Sequence, residues 1–352
     1  MATTYSVASL RALCQSIGVA AGLRAEDARL LSDCLIDAEL RGVESHGLVH
    51  LPMYVEWIDD GFLNPHGQLE IVRDSGPTVV MNANRALGQR AGVTAMDLAS
   101  ERASKFGVGY VGIRNSGSFG AAGYYPLRAV EKGQIGFALQ NTAPHLTPPG
   151  GVKALVGNSP FAIGIPTGEI PILLDIACSN VARANLIMAA KNGTKIPLDW
   201  AVDEHGKPTD DPNAGLLGSL LPFAGHKGYG LAFTLGLLAG PLVGADDRSY
   251  DTTWYFPRPN GFGILIVAIN IEHFVDPKQF EGDVKDWLQR IRTAETAPGH
   301  DRLYFPGERA HSRAQTRTRE GIEIPHGIEK DLLKLAKRFN CRMPDMQARS
   351  QR

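Results

Sequence analysis

The chain has 352 residues, with 36 basic and 37 acidic side chains and a formal charge of −1. That length allows two or three domains of ~100–200 residues each, with ample material for a core. Hydrophobic residues at 43% and charged residues at 21% exclude an acidic disordered chain, and the even charge balance argues against a nucleic-acid partner held on a basic face.

The first 41 residues read as helical. Leu31, Cys34, Leu35 and Ala38 recur at the spacing i, i+3, i+4, i+7 within residues 25–41, one face of a helix. Residues 51–58 extend a further short helix that ends near Gly61. Residues 72–84 predict strand, turn and strand about Ser75-Gly76-Pro77, and 89–106 a helix. Four apolar runs then read as strands, at 108–113, 135–140, 161–165 and 172–174. A helical run covers 186–190 and reaches back over 181–184, and residues 191–218 are polar and turn-rich. Residues 228–245 form 18 positions without a charge, near the lower limit for a membrane span, between Lys227 and the pair Asp246 and Asp247. Five glycines, Pro241 and the lack of a second such segment favour a helix buried in the protein core. Residues 262–271 read as a strand, 277–296 as an amphipathic helix and 327–339 as a final helix. Helices at both ends around central strands imply an α/β core with termini packed together.

Cys14, Cys34, Cys178 and Cys341 form no CxxC pair, so neither a zinc site nor a disulfide scaffold is expected, and no metal is assigned. The opening Met-Ala-Thr-Thr-Tyr has no basic and apolar leader, which makes the cytoplasm the expected location.

Gly107-Val-Gly-Tyr-Val-Gly112 is a literal GxGxxG. A dinucleotide turn needs a strand before it and a helix after it; here a helix precedes and the motif itself reads as strand, so it is no Rossmann fingerprint. His46, in Arg41-Gly-Val-Glu-Ser-His-Gly47, is placed either for acid/base work or as a surface-loop histidine. The small-residue run Asn115-Ser-Gly-Ser-Phe-Gly-Ala-Ala-Gly-Tyr-Tyr125 follows a buried strand, where α/β proteins place ligands; it reads equally as a tight turn. Asp175 closes an apolar strand, where a carboxylate is costly without a partner. It orients a histidine, holds a cofactor group or caps the next helix. Gly225-His-Lys-Gly-Tyr-Gly230 opens the apolar helix, with Lys227 an anion ligand or a solvated lysine. Tyr304-Phe-Pro-Gly-Glu-Arg309 is a turn with a charged end.

Taken in order from residue 41 to 308, these segments resemble the type-2 malate/L-lactate dehydrogenase family, as do Pro148-Pro-Gly-Gly151 and Asn158-Ser-Pro160. The resemblance implies an α/β, non-Rossmann mixed-sheet fold of the L-sulfolactate dehydrogenase-like type, with helical N- and C-terminal segments packing together. It implies a discontinuous terminal domain of residues 1–70 plus 300–352, an α/β substrate-side region of 71–115 plus 262–299, and a nicotinamide-cofactor-binding domain of 116–261. The implied activity is hydride transfer between NAD or NADP and a small 2-hydroxy/2-oxo acid, in a homodimer without a nucleic-acid or membrane partner. Carried over by position, His46 is the acid/base, with Ser118 and Asp175 as further catalytic candidates. Ser45 and His50 fall at substrate-binding positions. Thr142, Asp175, Ile176, Ala177, His226, Lys227, Gly307, Glu308 and Arg309 fall at cofactor-binding positions. Arg183 and Arg309 are candidates for the 2′-phosphate of NADP.

Two departures from the family pattern bear on the substrate. Many members carry histidine where this chain has Ser118, and an arginine where it has His50. Serine can orient an oxygen but does not titrate near neutral pH, and neutral histidine is a weaker carboxylate clamp than arginine. An NADPH-dependent reductase of cyclic imino acids (Δ1-piperideine- or pyrroline-2-carboxylate) is therefore the alternative reading, and a cofactor-binding protein without turnover the rival of another class.

Overall fold

A computed structural model describes residues 3–245, 250–251, 258–259 and 261–344. The chain opens with β1 (Thr3–Tyr5), α1 (Val7–Ala20), α2 (Ala25–Arg41) and α3 (Leu51–Asp59). Next come β2 (Glu70–Ser75), β3 (Thr78–Asn82), α4 (Gly88–Phe106), β4 (Val108–Ser116), α5 (Tyr124–Val130) and β5 (Gln134–Gln140). They are followed by β6 (Phe161–Ile165), β7 (Ile172–Ile176), α6 (Arg183–Asn192), β8 (Ala201–Val202), α7 (Pro212–Leu217), β9 (Ser219–Leu220) and α8 (His226–Ala239). The last part holds β10 (Tyr250–Asp251), β11 (Arg258–Pro259), β12 (Phe262–Asn270), α9 (Pro277–Thr293), α10 (Glu308–Glu320), β13 (Ile322–Ile324) and α11 (His326–Arg338).

The main sheet has seven strands in the order β2-β3-β4-β12-β5-β6-β7. β3 and β4 are parallel, and every other neighbouring pair is antiparallel. This is the expected mixed-sheet α/β fold. β12 sits between β4 and β5, so the sheet runs unbroken across the domain boundary anticipated at residue 116.

Both faces of the sheet are covered. On one, α4 presents Ala91, Ala95, Ala99 and Ala103 at four-residue spacing, all fully buried. These small side chains bring the helix backbone close to the sheet. A Cβ on Gly109 would run into the Ala99 carbonyl oxygen, and one on Gly112 would stand 2.7 Å from a Val243 methyl. Gly107 ends α4 in the left-handed region at φ +85°. The glycines of the GxGxxG run thus meet packing and capping needs, and the run leads from α4 into β4. On the other face, α8 covers Leu139, Leu265 and Val267, and α6 packs on α7 in the same core. The two chain ends form a third core: β1 pairs with β13, and Leu10, Ile17 and Leu35 are buried with Ile322 and Leu332.

Three expectations need correction. The uncharged segment at 228–245 is not a core helix. α8 ends at Ala239 and buries only Gly228, Ala232, Leu235 and Ala239, whereas Phe233 and Leu237 are 47% and 46% exposed. Asp246 and Asp247 lie outside the described residues. Among the described residues no helix is long and apolar enough to cross a membrane. The turn-rich stretch at 191–218 contains α7, which starts at a proline and is capped by the Asp211 side chain. α10 follows the turn at 304–309, where the sequence predicts no helix, because it buries only Glu308 and has no apolar stripe to read.

Gly109→Ala is expected to lower stability by ~1–3 kcal/mol, because α4 or β4 must shift to admit the new methyl. Gly282 on α9 has open space around it, so Gly282→Ala is expected to add about 0.5–1 kcal/mol. Urea unfolding of the two variants checks the sign of both effects.

Candidate active site

α2 ends at Gly42, whose φ of +77° turns the chain. Two short 3-10 turns follow, Glu44–His46 and Leu48–His50, before α3 begins with Pro52 in its first turn. Gly47 separates the turns, and a Cβ there would run into the Glu39 carboxylate. Glu39 is buried on α2 and accepts the Leu48 N–H at 2.8 Å. Burial pushes its carboxyl up to about 7, against the opposing pull of that hydrogen bond. From α10, Arg317 donates to the Glu39 main-chain carbonyl and, at 2.6 Å, to the Glu44 carboxylate.

On this turn the His46 and His50 rings meet edge to face, 5.2 Å between centroids. Ser45 Oγ lies 2.9 Å from His46 Nδ1. Burial pushes His46 down to about 4; burial and the neighbouring His46 push His50 down to about 3. Both rings are neutral at pH 7.

The loop at 117–120 continues from β4. The Phe119 N–H donates to Gln140 Oε1 at 2.9 Å, and the Tyr125 hydroxyl donates to the Phe119 carbonyl. The Tyr54 hydroxyl donates to the Ser118 carbonyl at 3.3 Å and accepts from Gln89 Nε2 at 2.6 Å. Gly88 permits this approach, since a Cβ there would run into the Ser118 carbonyl.

One cleft gathers these parts. Ser45, His46, His50, Ser118 and Thr142 all line it, between the terminal helices and the ends of β4 and β5. Met53, Trp57 and Phe262 make its apolar wall. Thr142 Oγ1 donates to Asn158 Oδ1 at 2.8 Å and accepts the Asn158 N–H at 3.0 Å. Three further lining residues, Gln140, His145 and Arg183, are not singled out for this cleft by the sequence motifs. Gln140 closes β5 and Arg183 opens α6, so the available signal is a polar residue at the end of an apolar element. Burial and the nearby Arg183 push His145 down to about 3. Arg183 donates to the Leu216 carbonyl at 3.2 Å. Among the described residues lining the cleft, it alone carries a permanent charge.

The other sequence candidates lie elsewhere. Asp175 is inside β7, opposite Ala162, and accepts the Gly123 N–H at 2.9 Å. Burial pushes it up to about 6, partly offset by that hydrogen bond. It is therefore not a helix cap, and its bond goes to the glycine loop ahead of α5 rather than to His46. Ile176 and Ala177 continue from it and do not line the cleft. Gly307 and Arg309 line a second pocket with Tyr304 and Arg313, where the Arg309 guanidinium lies 5.2 Å from the Tyr304 ring centre. Glu308 is buried and paired with Arg302. The Leu173 N–H donates to the Pro306 carbonyl at 3.0 Å, which docks this turn on β7 two residues from Asp175. His226 and Lys227 are exposed at the start of α8 and line neither pocket.

A seven-stranded mixed sheet without a glycine-loop crossover, with a histidine-lined cleft against the terminal helices, defines a non-Rossmann α/β class. A family profile described as malate/L-lactate dehydrogenase matches residues 5–333. The chain is 38% identical over 334 residues to the malate/(S)-sulfolactate dehydrogenase of Methanothermus fervidus, covering 95% of this chain and 97% of that one. It is 32% identical over 325 residues to the ureidoglycolate dehydrogenase (NAD(+)) of Escherichia coli strain K12, covering 91% of each. The solved malate dehydrogenase of Entamoeba histolytica matches with a TM-score of 0.91 at 29% identity, over 98% of this chain and 100% of that one. The chain belongs to the malate/L-lactate dehydrogenase family.

Glu39→Gln keeps the Leu48 N–H paired and is expected to fold normally, whereas Glu39→Ala leaves that buried donor unpaired at a cost of about 1–3 kcal/mol. Folding raises the Glu39 pKa, so its contribution to stability is complete below about 4.5 and is lost as pH climbs through about 7. Chemical denaturation across that window is expected to favour Glu39→Gln over the wild type increasingly as pH rises.

Proposed function

We propose that this oxidoreductase interconverts a small 2-hydroxy acid and its 2-oxo acid with a nicotinamide dinucleotide, using His46 as the acid/base. The observation that carries the reading is His46 held by Ser45 in the same cleft as Ser118 and Thr142. With Nδ1 engaged by Ser45, Nε2 is the ring nitrogen left to exchange a proton with substrate. In oxidation the neutral imidazole takes the hydroxyl proton as the C2 hydrogen departs as hydride; in reduction the imidazolium returns it to the carbonyl oxygen. Ser118 orients that oxygen without titrating. Ser45 and His50 border the substrate.

The residues present fit the cofactor. The pocket at 304–313 joins an aromatic ring to two arginines, and Gly307 is packed so tightly that a Cβ would stand 2.8 Å from the Leu173 nitrogen. When bound, the nicotinamide accepts or delivers the hydride. Thr142 in the cleft, the 175–177 strand end with the 307–309 turn, and His226 with Lys227 would hold successive parts of it, most of them from segment 116–261. Arg309 and Arg313 suit a 2′-phosphate, so both NAD and NADP belong in the assay. The exposed Phe233 and Leu237 on α8, with Leu242 just beyond it 65% exposed, support a homodimer, for which light scattering is expected to give twice the chain mass.

The purified protein is expected to oxidise NADH or NADPH with members of a panel of 2-oxo acids and cyclic imines, and His46→Ala to lose at least ~10²-fold in kcat. Undiminished turnover in His46→Ala, or no binding of either cofactor, would sink the reading. Because protonated His46 cannot take a proton, kcat/KM for hydroxy-acid oxidation is expected to stay level through 6.5 and to fall only as pH approaches about 4.

A further inference from the structure

The cleft does not end at His50. Past Met53 and Trp57 it meets a second cavity of about 480 Å³, and the two share Ser45, His50, Met53, Trp57 and Ala184. Val49, Pro52, Ile187, Met188 and Ile328 give this outer chamber apolar walls. Its charged lining is acidic throughout: Glu44, Glu56 and Asp331, with no lysine or arginine among the described residues. Glu44 is paired with Arg317 and Asp331 with Lys334, while Glu56 is exposed.

The two chambers differ in what they can hold. The inner cleft has neutral histidines and one cationic lining residue, Arg183, whose guanidinium also donates to the Leu216 carbonyl at 3.2 Å. α6 spans both, with Arg183 at its start in the inner cleft and Ile187 and Met188 one turn on in the outer chamber. A single guanidinium matches a single carboxylate. A second anionic group on the substrate tail would leave water for an apolar chamber with no cation in its lining, opposed by desolvation and by the nearby Glu56 carboxylate. An alkyl or aryl tail meets neither penalty and gains by burial.

We propose that this chain is selective for monocarboxylic 2-oxo and 2-hydroxy acids with a bulky apolar side chain, the carboxylate held by Arg183 and the side chain by the outer chamber. The proposal rests on the oxidoreductase reading above. C2 of the oxo acid gains a hydride from the reduced nicotinamide and its oxygen gains a proton, leaving the 2-hydroxy acid and oxidised cofactor.

Steady-state kinetics of the full chain with pyruvate, phenylpyruvate and oxaloacetate test it. The expected kcat/KM for phenylpyruvate is at least tenfold above that for either other acid. Met188 is 44% exposed, so Met188→Trp can fill the chamber without disturbing the core. It is expected to cut kcat/KM for phenylpyruvate at least tenfold more than for pyruvate. Glu56→Arg is expected to raise the oxaloacetate-to-phenylpyruvate ratio several-fold, and Arg183→Gln to raise KM for all three acids, with partial recovery in Arg183→Lys. Oxaloacetate used as well as phenylpyruvate, or ratios unmoved by both chamber variants, overturns the selectivity and leaves the oxidoreductase reading standing. Turnover of none of the three acids, nor of any other 2-oxo acid, overturns both.

Discussion

Strand β12 is the constraint on which the rest of the molecule depends. It pairs with β4 on one side and β5 on the other, joining strands that precede the glycine loop to strands that follow it. Ile264, Ile266 and Ala268 enter the core beneath α4, and the alternate Leu265 and Val267 enter the core beneath α8. A strand buried on both faces must be apolar at nearly every position, as this one is. Its first residue, Phe262, belongs to the core of the terminal helices, lies 6.1 Å from the Trp57 ring centre and lines the cleft. At the same end, the Gly263 N–H donates to Asn141 Oδ1 at 2.7 Å and the Asn141 N–H donates to the Gly263 carbonyl at 3.0 Å. This reciprocal pair sets the loop that carries Thr142 and His145 against the strand that positions the wall opposite.

The cleft is consequently assembled from three bodies of structure that meet only in space. The terminal helices bring Ser45, His46 and His50; the ends of β4 and β5 bring Ser118, Gln140 and Thr142; α6 brings Arg183. The histidine turn's own backbone bonds reach only three residues back, and Glu39 and Arg317 tie it to α2 and α10. α10 contributes no residue to the cleft, yet Arg317 ties it to α2 at Glu39 and to the start of that turn at Glu44. Damage to this helix should therefore reach the chemistry through backbone position rather than through lost contacts with substrate.

Much of the sheet is legible in the sequence because its inner strands are largely covered and stand out as apolar runs. Residues 161–165 coincide with β6, and the other runs differ from their strands by a few residues at the ends. The pairing of β12 between β4 and β5 is not legible, since local periodicity carries no information about a partner more than a hundred residues away. α8 misleads for a related reason: composition reports that its side chains are apolar, not which of them a neighbour covers. Asp175 is visible as a costly carboxylate, but its partner Gly123 lies 52 positions back and has no side chain to mark it. The convergence of His46, Ser118 and Thr142 is carried by resemblance to a family; spacing along the chain does not contain it.

Three histidines line the cleft, and their surroundings separate them. His145 stands near Arg183, a fixed cation that opposes any second positive charge. His50 is buried more deeply and faces His46, so its protonation is opposed by the ring it would need to assist. His46 is lowered by burial alone, and its Nδ1 has a hydroxyl partner that can donate to the neutral ring or accept from the charged one. It is thus the ring that takes a proton at least cost and keeps its orientation in both protonation states. A substrate carboxylate entering the cleft would act in the same direction, since an anion beside a desolvated imidazole favours its charged form. In the proposed reaction the acid for reduction would then form when substrate is bound, while His46 in the free site is neutral at pH 7.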